Sequence, residues 1–521
     1  MKNYIGEPDG MTEKLGNFLK IGNTSNFDFS SLEPRAIVGR KGSGKSITIR
    51  KFAEAAHGKS ERYVFPRETI PPDLDGLIKF TAPIPTTSRT NAWQKIWDFA
   101  IHVSIVTNIL FDDQFEHRFL ANKKEKLKTI FSDYSNDCLL GLSTSSRVYT
   151  VVQTIIHEYD DFEEFLHFYR SPQCSNFLNT VGQVVKELPV LCIYLDAIDE
   201  ELRRAPSLII DITRALFYVC FNFVRGGGER GRIHVVMTIR DVVYSSIINS
   251  SEHSDRYKDT PHIISLPWKP KSAILFNELK MKEGLKSYPN LISASDKTSS
   301  LGKLLGFETV FNKEKDFEED VQRYVIRHVN SSPRTLVSLG NRLFDARDDG
   351  GSLSNDVFRK TVNSYSSELA KILIQISSAY LVACYYDDDI GTLIDYQADL
   401  VPALRPSSPY SDTGLQYLNA GAFQSITDGF TLPIEAFIKS IGKDVFSREE
   451  LVNSLDKFTN SNLDYSTMRR QHVLGRIENV LWSQGLLGAR KRSGKYGKDE
   501  FFFYGSITRN AILPVETEEY I

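Results

Sequence analysis

Residues 36–50 read AIVGRKGSGKSITIR, and the rest of the chain is best placed relative to this stretch. Ala36, Ile37 and Val38 suit a short buried strand, and the segment from Lys45 through Lys51-Phe52-Ala53-Glu54-Ala55-Ala56 has the composition of a helix. Between them Gly39, Arg40, Lys41, Gly42, Ser43, Gly44, Lys45 and Ser46 satisfy G-x-x-x-x-G-K-[ST]. The residue types have a physical reason. Glycines let backbone N–H groups curl round an anion, and the start of the following helix adds positive dipole. Lys45 is spaced to reach the outer members of a phosphate chain, and the Ser46 hydroxyl to meet Mg²⁺. A flexible glycine turn is the bland alternative, which the strand-loop-helix context disfavours.

A phosphate cradle of this kind needs a carboxylate to hold the metal. Residues 188–201, LPVLCIYLDAIDEE, supply one. Val190 to Leu195 form an apolar run too short for a helix, which reads as a buried strand, and Asp196 stands at its C-terminal end, where open parallel sheets place ligands. Asp196 is expected to bind Mg²⁺ directly or through water. Asp199 and Glu200 follow within reach of an attacking water, with Glu200 the preferred general base. A second apolar run, Ile233 to Met237, ends in Thr238 and Arg240. Further on, VNSSPRTLVSLGNRLFDA (329–346) predicts a helix: Pro333 suits its first turn, Ser332 can cap it, and Leu336, Leu339 and Leu343 recur at helical spacing, although Gly340 interrupts it.

These segments carry a resemblance. Asp196-Ala197-Ile198-Asp199-Glu200 is similar to the Walker B form of the NACHT branch of STAND NTPases. The Thr238-Ile239-Arg240 strand end resembles sensor 1 of STAND proteins and their AAA+ relatives, and Pro333-Arg334 resembles the start of a sensor 2 helix. The resemblance implies a P-loop NTPase with ATP and Mg²⁺ as cofactors, Arg240 reporting on the terminal phosphate and Arg334 reaching the nucleotide from a lid. It also implies a nucleotide-driven switch between ATP and ADP states, a homo-oligomer in the active state and, as in prokaryotic relatives of this design, a role in antiphage defence. No appended nuclease, protease or TIR-like effector and no sensor repeats are recognisable, so a separate effector protein is the expected partner.

Composition bounds the remainder. The chain has 521 residues, 41% hydrophobic and 25% charged, with 63 Lys+Arg against 66 Asp+Glu, which excludes disorder, collagen-like repeats and a strongly basic coat protein. At roughly 150 residues per domain the length predicts about three folding units. Cys138, Cys174, Cys192, Cys220 and Cys384 are widely spaced and mostly embedded in apolar segments, and read as reduced buried thiols of a cytoplasmic protein. Neither a signal peptide nor a membrane span is assigned: the most apolar helical run, LIIDITRALFYVCFNFV, carries Asp211 and Arg214.

The expected fold is α/β, a parallel-sheet P-loop NTPase core with an α-helical insertion, followed by an α-helical lid and a winged-helix domain. The boundaries are an N-terminal extension over 1–30, a core over 31–270 with its insertion at about 85–180, a lid over 271–390 and a winged helix over 391–521. In the insertion, Trp93, Ile96, Trp97, Ala100, Ile101 and Ile105 share one face of a predicted amphipathic helix, either core packing or a partner surface. Further helical patterns cover 114–131 and 148–168, and a long apolar helix runs from Arg204 to Arg225. His262 to Leu266 reads as the last strand. The polar stretch near 293–313 is expected to be a flexible loop within the lid, and Gly350-Gly351-Ser352 and 402–411 are linker candidates.

In the C-terminal part, helices at 433–441, 447–458 and 465–483 precede two strands joined by a glycine-containing loop. Arg490, Lys491, Arg492, Lys495 and Lys498 make the loop a basic wing, with Arg469, Arg470 and Arg476 on the preceding helix. Such a surface either contacts DNA or packs as an autoinhibitory element. Alternatives therefore stay open: an ATP-binding and hydrolysing switch, a DNA-binding AAA+ ATPase of initiator, loader or transposition-regulator type, or a nucleotide-stabilised scaffold with little turnover.

Overall fold

The computed structural model describes residues 4–10, 12–21, 27–57, 74–111, 144–187, 190–196, 206–225, 232–250, 261–266, 270–292, 298–312, 317–329, 332–350, 353–386, 446–447, 449–451, 453–454, 486–491 and 499–503, with residues 127, 257, 268, 438, 441, 457 and 481. Four short strands, β1 (Ala36–Val38), β2 (Leu191–Leu195), β3 (Ile233–Ile239) and β4 (Ile263–Ser265), form an all-parallel sheet in the order β2-β3-β1-β4. The register sets Val38 opposite Ile239 and Ser265, and Leu195 opposite Met237. These strands are nearly continuous runs of aliphatic residues because both faces are covered. Ala36, Val38, Ile193, Leu195, Val235, Met237 and Ile239 enter one core cluster, whereas Ile37, Cys192, Tyr194 and Val236 enter another with Ile49 and Phe52 of helix α1 (Lys45–His57).

The chain leaves β1 by α1 and passes through helices α2 (Leu74–Thr81), α3 (Thr86–Phe111), α4 (Thr144–Glu158), α5 (Phe162–Tyr169) and α6 (Pro172–Val185) before reaching β2. Helix α7 (Pro206–Arg225) then connects β2 to β3, which slots in between β2 and β1. The buried stripe on α3 is wider than the sequence predicts. Phe99, Val103 and Val106 are as buried as Trp93 and Trp97, and α3 packs against both α4 and α7. With its broad apolar side packed on two helices, the α3 tryptophans are packing residues and not a docking surface, while Asn91, Gln94, Lys95 and Asp98 keep one face polar. Trp97 Nε1 donates to Ile212 O on α7 at 3.1 Å. The helical pattern over 148–168 also divides: Asp161 ends the continuity by capping α5, its carboxylate accepting from Glu164 N. The pattern over 114–131 lies outside the described residues except for Leu127, which is buried.

Helix α8 (Asp241–Ser250) follows β3. After β4 comes a helical unit made of α9 (Pro270–Leu285), α10 (Pro289–Ile292), α11 (Ser300–Leu305), α12 (Val321–His328), α13 (Pro333–Gly350) and α14 (Asn355–Tyr386). The polar stretch expected to be a loop instead contains α11 and the first strand of a hairpin, β5 (Thr309–Asn312) with β6 (Phe317–Asp320). Ser299 caps α11 and Gly306, at φ 85°, ends it, so local turn chemistry builds structure where polarity alone suggested none. Gly340 does not interrupt α13. Its missing side chain, with that of Gly284 on α9, makes room for Ile5: a Cβ on Gly284 would lie 2.6 Å from Ile5 Cγ2, and one on Gly340 would collide with Ile5 Cδ1.

Strands β7 (Phe446–Ser447), β8 (Leu487–Lys491) and β9 (Asp499–Phe503) form an antiparallel sheet in the order β7-β9-β8. The three helices expected before it fall mostly outside the described residues, as does the 402–411 linker candidate. Cys174, Cys192 and Cys220 are free and buried, and burial pushes the thiols of Cys174 and Cys220 up to about 12; Cys138 and the side chain of Cys384 lie outside the described residues. Among the described residues no helix is long and apolar enough to cross a membrane. Asp211 and Arg214 on α7 pair at 2.9 Å.

Candidate functional site

The C-terminal ends of β1, β2 and β3 open on one edge of the sheet, where a cavity forms. The loop after β1 turns through Gly42 at φ 81° and Gly44 at φ 91°, a left-handed geometry that costs L side chains roughly 1 kcal/mol or more. Lys41 to Ser46 line the cavity along this loop and the first turn of α1. Lys45 Nζ donates to Gly39 O at 2.8 Å and Arg40 O at 3.0 Å, so the ammonium is drawn back over its own loop. The Ser43 hydroxyl is buried with no hydrogen-bond partner among the described residues. The Arg40 guanidinium lies 3.7 Å from Asp241 at the start of α8.

Across the cavity Asp196, 4% exposed, stands just past β2. Thr238, near the end of β3, donates its hydroxyl to Asp196 Oδ1, and Tyr149 of α4 donates to Asp196 O at 2.9 Å. Because β3 lies between β1 and β2, Thr238 and Arg240 sit between the glycine-rich loop and the acid, and both line the cavity. Threonine at this point does more than end a strand, since it fixes the orientation of a buried carboxylate. Asp199 and Glu200 lie outside the described residues.

From the helical unit, Arg334 at the start of α13 reaches the same cavity, and a Cβ on Gly42 would lie 3.2 Å from Arg334 Cβ. Thr335 N donates to the Ser332 hydroxyl at 3.3 Å, and Leu336 N to Ser332 O at 3.1 Å, which caps α13 as its sequence predicts. Two further contributions were not legible in the sequence. Trp268, just before α9, donates Nε1 to Ser43 O at 2.8 Å and packs edge-on against Phe276, holding the glycine-rich loop from outside. The N-terminal segment brings Glu7, Glu13, Phe18 and Leu19 to the cavity wall, where Glu13 pairs with Lys280 of α9 at 3.2 Å, both side chains 5% exposed. Neither has a period or motif to mark it; only a tryptophan set between Pro267 and Pro270 hints at a fixed position.

The cavity lining carries five cations, Lys41, Lys45, Arg240, Lys280 and Arg334, against three anions, Glu7, Glu13 and Asp196, in a chain whose formal net charge is −3. Excess positive charge, a left-handed glycine loop at a helix start and an unsatisfied buried hydroxyl are a chemical fit to a phosphate chain. Ser46 and Asp196 offer the two protein oxygens that Mg²⁺ commonly takes beside phosphate and water.

Of the basic residues in the C-terminal sheet, Arg490 and Lys491 lie on β8, in register with Glu500 and Asp499 of β9; Arg492, Lys495 and Lys498 lie outside the described residues, as do Arg469, Arg470 and Arg476. No protein-family model, no curated protein and no solved structure matches this chain.

Proposed function

We propose that the chain is a P-loop nucleoside triphosphatase, an ATP-dependent switch resembling STAND and AAA+ proteins, in which 270–386 act as the lid. The observation that carries this reading is one cavity lined jointly by the glycine-rich loop, the buried Asp196–Thr238 pair and Arg334. The loop N–H groups and Lys45 hold the phosphate chain. Lys45 exchanges carbonyl partners, Gly39 O and Arg40 O among them, for phosphate oxygens, a stronger charge-assisted contact. Ser46 and Asp196 would hold Mg²⁺, and the Thr238 hydroxyl fixes the Asp196 carboxylate that would bind it. Bound there, the metal would supply neutralisation of charge on the outer phosphates. Glu200 orients the attacking water and takes its proton.

Of the readings left open by the sequence, a switch is favoured over a static scaffold because the start of α13 lies against Gly42. A phosphate bound in the loop is then felt directly by the lid. The β7-β9-β8 sheet supports a winged-helix reading of the C-terminal domain, which the lid would carry with it. A separate effector protein and self-assembly in the triphosphate state complete the proposal.

The test is phosphate release by wild type, Lys45→Ala and Glu200→Gln. Loss of nucleotide binding is expected in Lys45→Ala, and at least a hundredfold slower release with binding retained in Glu200→Gln, the scale of general-base removal. Equal rates in all three would remove the catalytic assignment.

A further inference from the structure

The N-terminal segment is tied to both sides of the cavity. On the lid side, Ile5 fills the glycine socket between α9 and α13, Ile5 N donates to Asn341 Oδ1 at 3.1 Å, and Asn341 Nδ2 donates to Gly6 O at 3.0 Å. On the core side, Arg50 of α1 donates to Gly10 O at 2.7 Å and Glu13 O at 2.8 Å. Glu13 belongs to both attachments, because its carbonyl is held by α1 while its carboxylate accepts from Lys280 of α9 and from Glu7 N. Over the cavity mouth, Arg334 Nε donates to Pro8 O at 3.3 Å and its guanidinium lies 3.8 Å from Asp9, with the two side chains 42% and 56% exposed.

The two ion pairs on this segment differ in kind. Glu13–Lys280 is sealed from water, so losing one partner strands a buried charge and the pair persists. Asp9–Arg334 is long and half exposed, a weak and readily exchanged contact. A terminal phosphate offers the same guanidinium two or more charged oxygens in a geometry it matches well. A bound triphosphate also places negative charge near the Asp9 carboxylate, which disfavours the original pair.

We propose that Asp9 and the terminal phosphate of a bound triphosphate are alternative partners of Arg334, and that Glu13 is the positioning residue that keeps Asp9 over the site. This rests on the nucleotide reading above. The segment then acts as a discriminator: it holds Arg334 when the site is empty or contains a diphosphate, and gives it up only to the extra phosphate.

Equilibrium dialysis of the full-length chain with Mg²⁺ and either ADP or the β,γ-methylene analogue of ATP tests this through the ratio of the two affinities. Asp9→Asn, on an exposed residue, is expected to tighten triphosphate binding roughly three- to fivefold, the range of an exposed pair, and to leave ADP within about twofold. In an Arg334→Ala background the same change should not move the ratio. Glu13→Ala should raise the ratio as Asp9→Asn does, and Glu13→Gln, which keeps an acceptor for Lys280, should restore it toward wild type; a purely structural role would weaken both nucleotides equally. An unchanged ratio in Asp9→Asn, or the same change with and without Arg334, overturns the inference alone. Failure of wild type to bind either nucleotide overturns the nucleotide reading and this inference together, whereas loss of both on Lys45→Ala leaves that reading standing.

Discussion

Around the sheet, the buried cation Arg35 is answered by uncharged groups: one terminal nitrogen donates to Leu32 O at 2.5 Å and Pro34 O at 2.8 Å, and the other meets His234 Nδ1 at 2.7 Å. In the helical unit, the buried cations Arg327 and Lys280 are answered by carboxylates, one close in the chain and one distant. Arg327 pairs with Glu319 at 2.6 Å, the two side chains 6% and 5% exposed, and Lys280 pairs with Glu13 across 267 positions. A cation held by nearby carbonyls is fixed by its own turn and keeps its net charge, and desolvation pulls the Arg35 pKa down. A carboxylate pair is neutral and can join distant segments, at the cost that neither member tolerates loss of the other. Apolar packing fills both regions, and in the helical unit carboxylate pairs neutralise the buried cations as well.

Breaking one pair is the severest test of that contrast. Glu319→Leu should destabilise the chain by about 3–5 kcal/mol, because Arg327 is left buried and uncompensated, and adding Arg327→Met should recover most of the loss. Denaturant unfolding of the four members of the cycle measures this. A double variant as unstable as the single would mean that shape rather than charge holds the hairpin on α12. In the sheet region Phe99→Ala, at a fully buried ring packed on Phe165, Phe168 and Phe177, should cost about 3–5 kcal/mol with no second-site charge change able to restore it.

A smaller, pH-dependent effect belongs to the helical unit alone. Burial first, and the neighbouring Arg327 second, push the His328 imidazole down to about 3. Its folded pKa lies below its unfolded value, so its contribution is complete above about pH 6.5 and is lost progressively as pH falls toward 3, at up to about 1.4 kcal/mol per pH unit. Melting temperatures between pH 7 and pH 5 should fall less steeply in His328→Gln than in wild type; parallel slopes would remove His328 as the cause. The smallest effect is expected at the exposed pair Arg342–Glu368, 2.7 Å apart, where Glu368→Ala should change stability by under about 1 kcal/mol and added salt should erase the difference.

Much of the sheet was legible because buried parallel strands must be continuous apolar runs, and 190–195, 233–237 and 262–266 differ from the observed strands by at most two residues at an end. The glycine-rich loop was legible because a left-handed turn at a helix start admits few residue types. The Asp196–Thr238 contact was only half visible. Both residues were marked as strand ends, but their meeting depends on β3 lying beside β2, which no local pattern states. Polarity misled over 293–313, where caps and a hairpin outweigh low hydrophobicity, and glycine misled at 340, where the missing side chain serves Ile5 rather than a break in the helix.

By itself, the sequence determined the parallel α/β class, the loop at 39–46 and the acid and threonine at the ends of later strands, because each is dictated by local backbone sterics or by apolar periodicity. Tertiary structure alone decided that Trp268 grips the loop, that Glu7, Glu13, Phe18 and Leu19 wall the cavity, and that Glu13 meets Lys280. Those contacts join positions more than two hundred residues apart through single hydrogen bonds and ion pairs. Such pairings leave no period in the chain, and exist only once the sheet and the helical unit have been brought together.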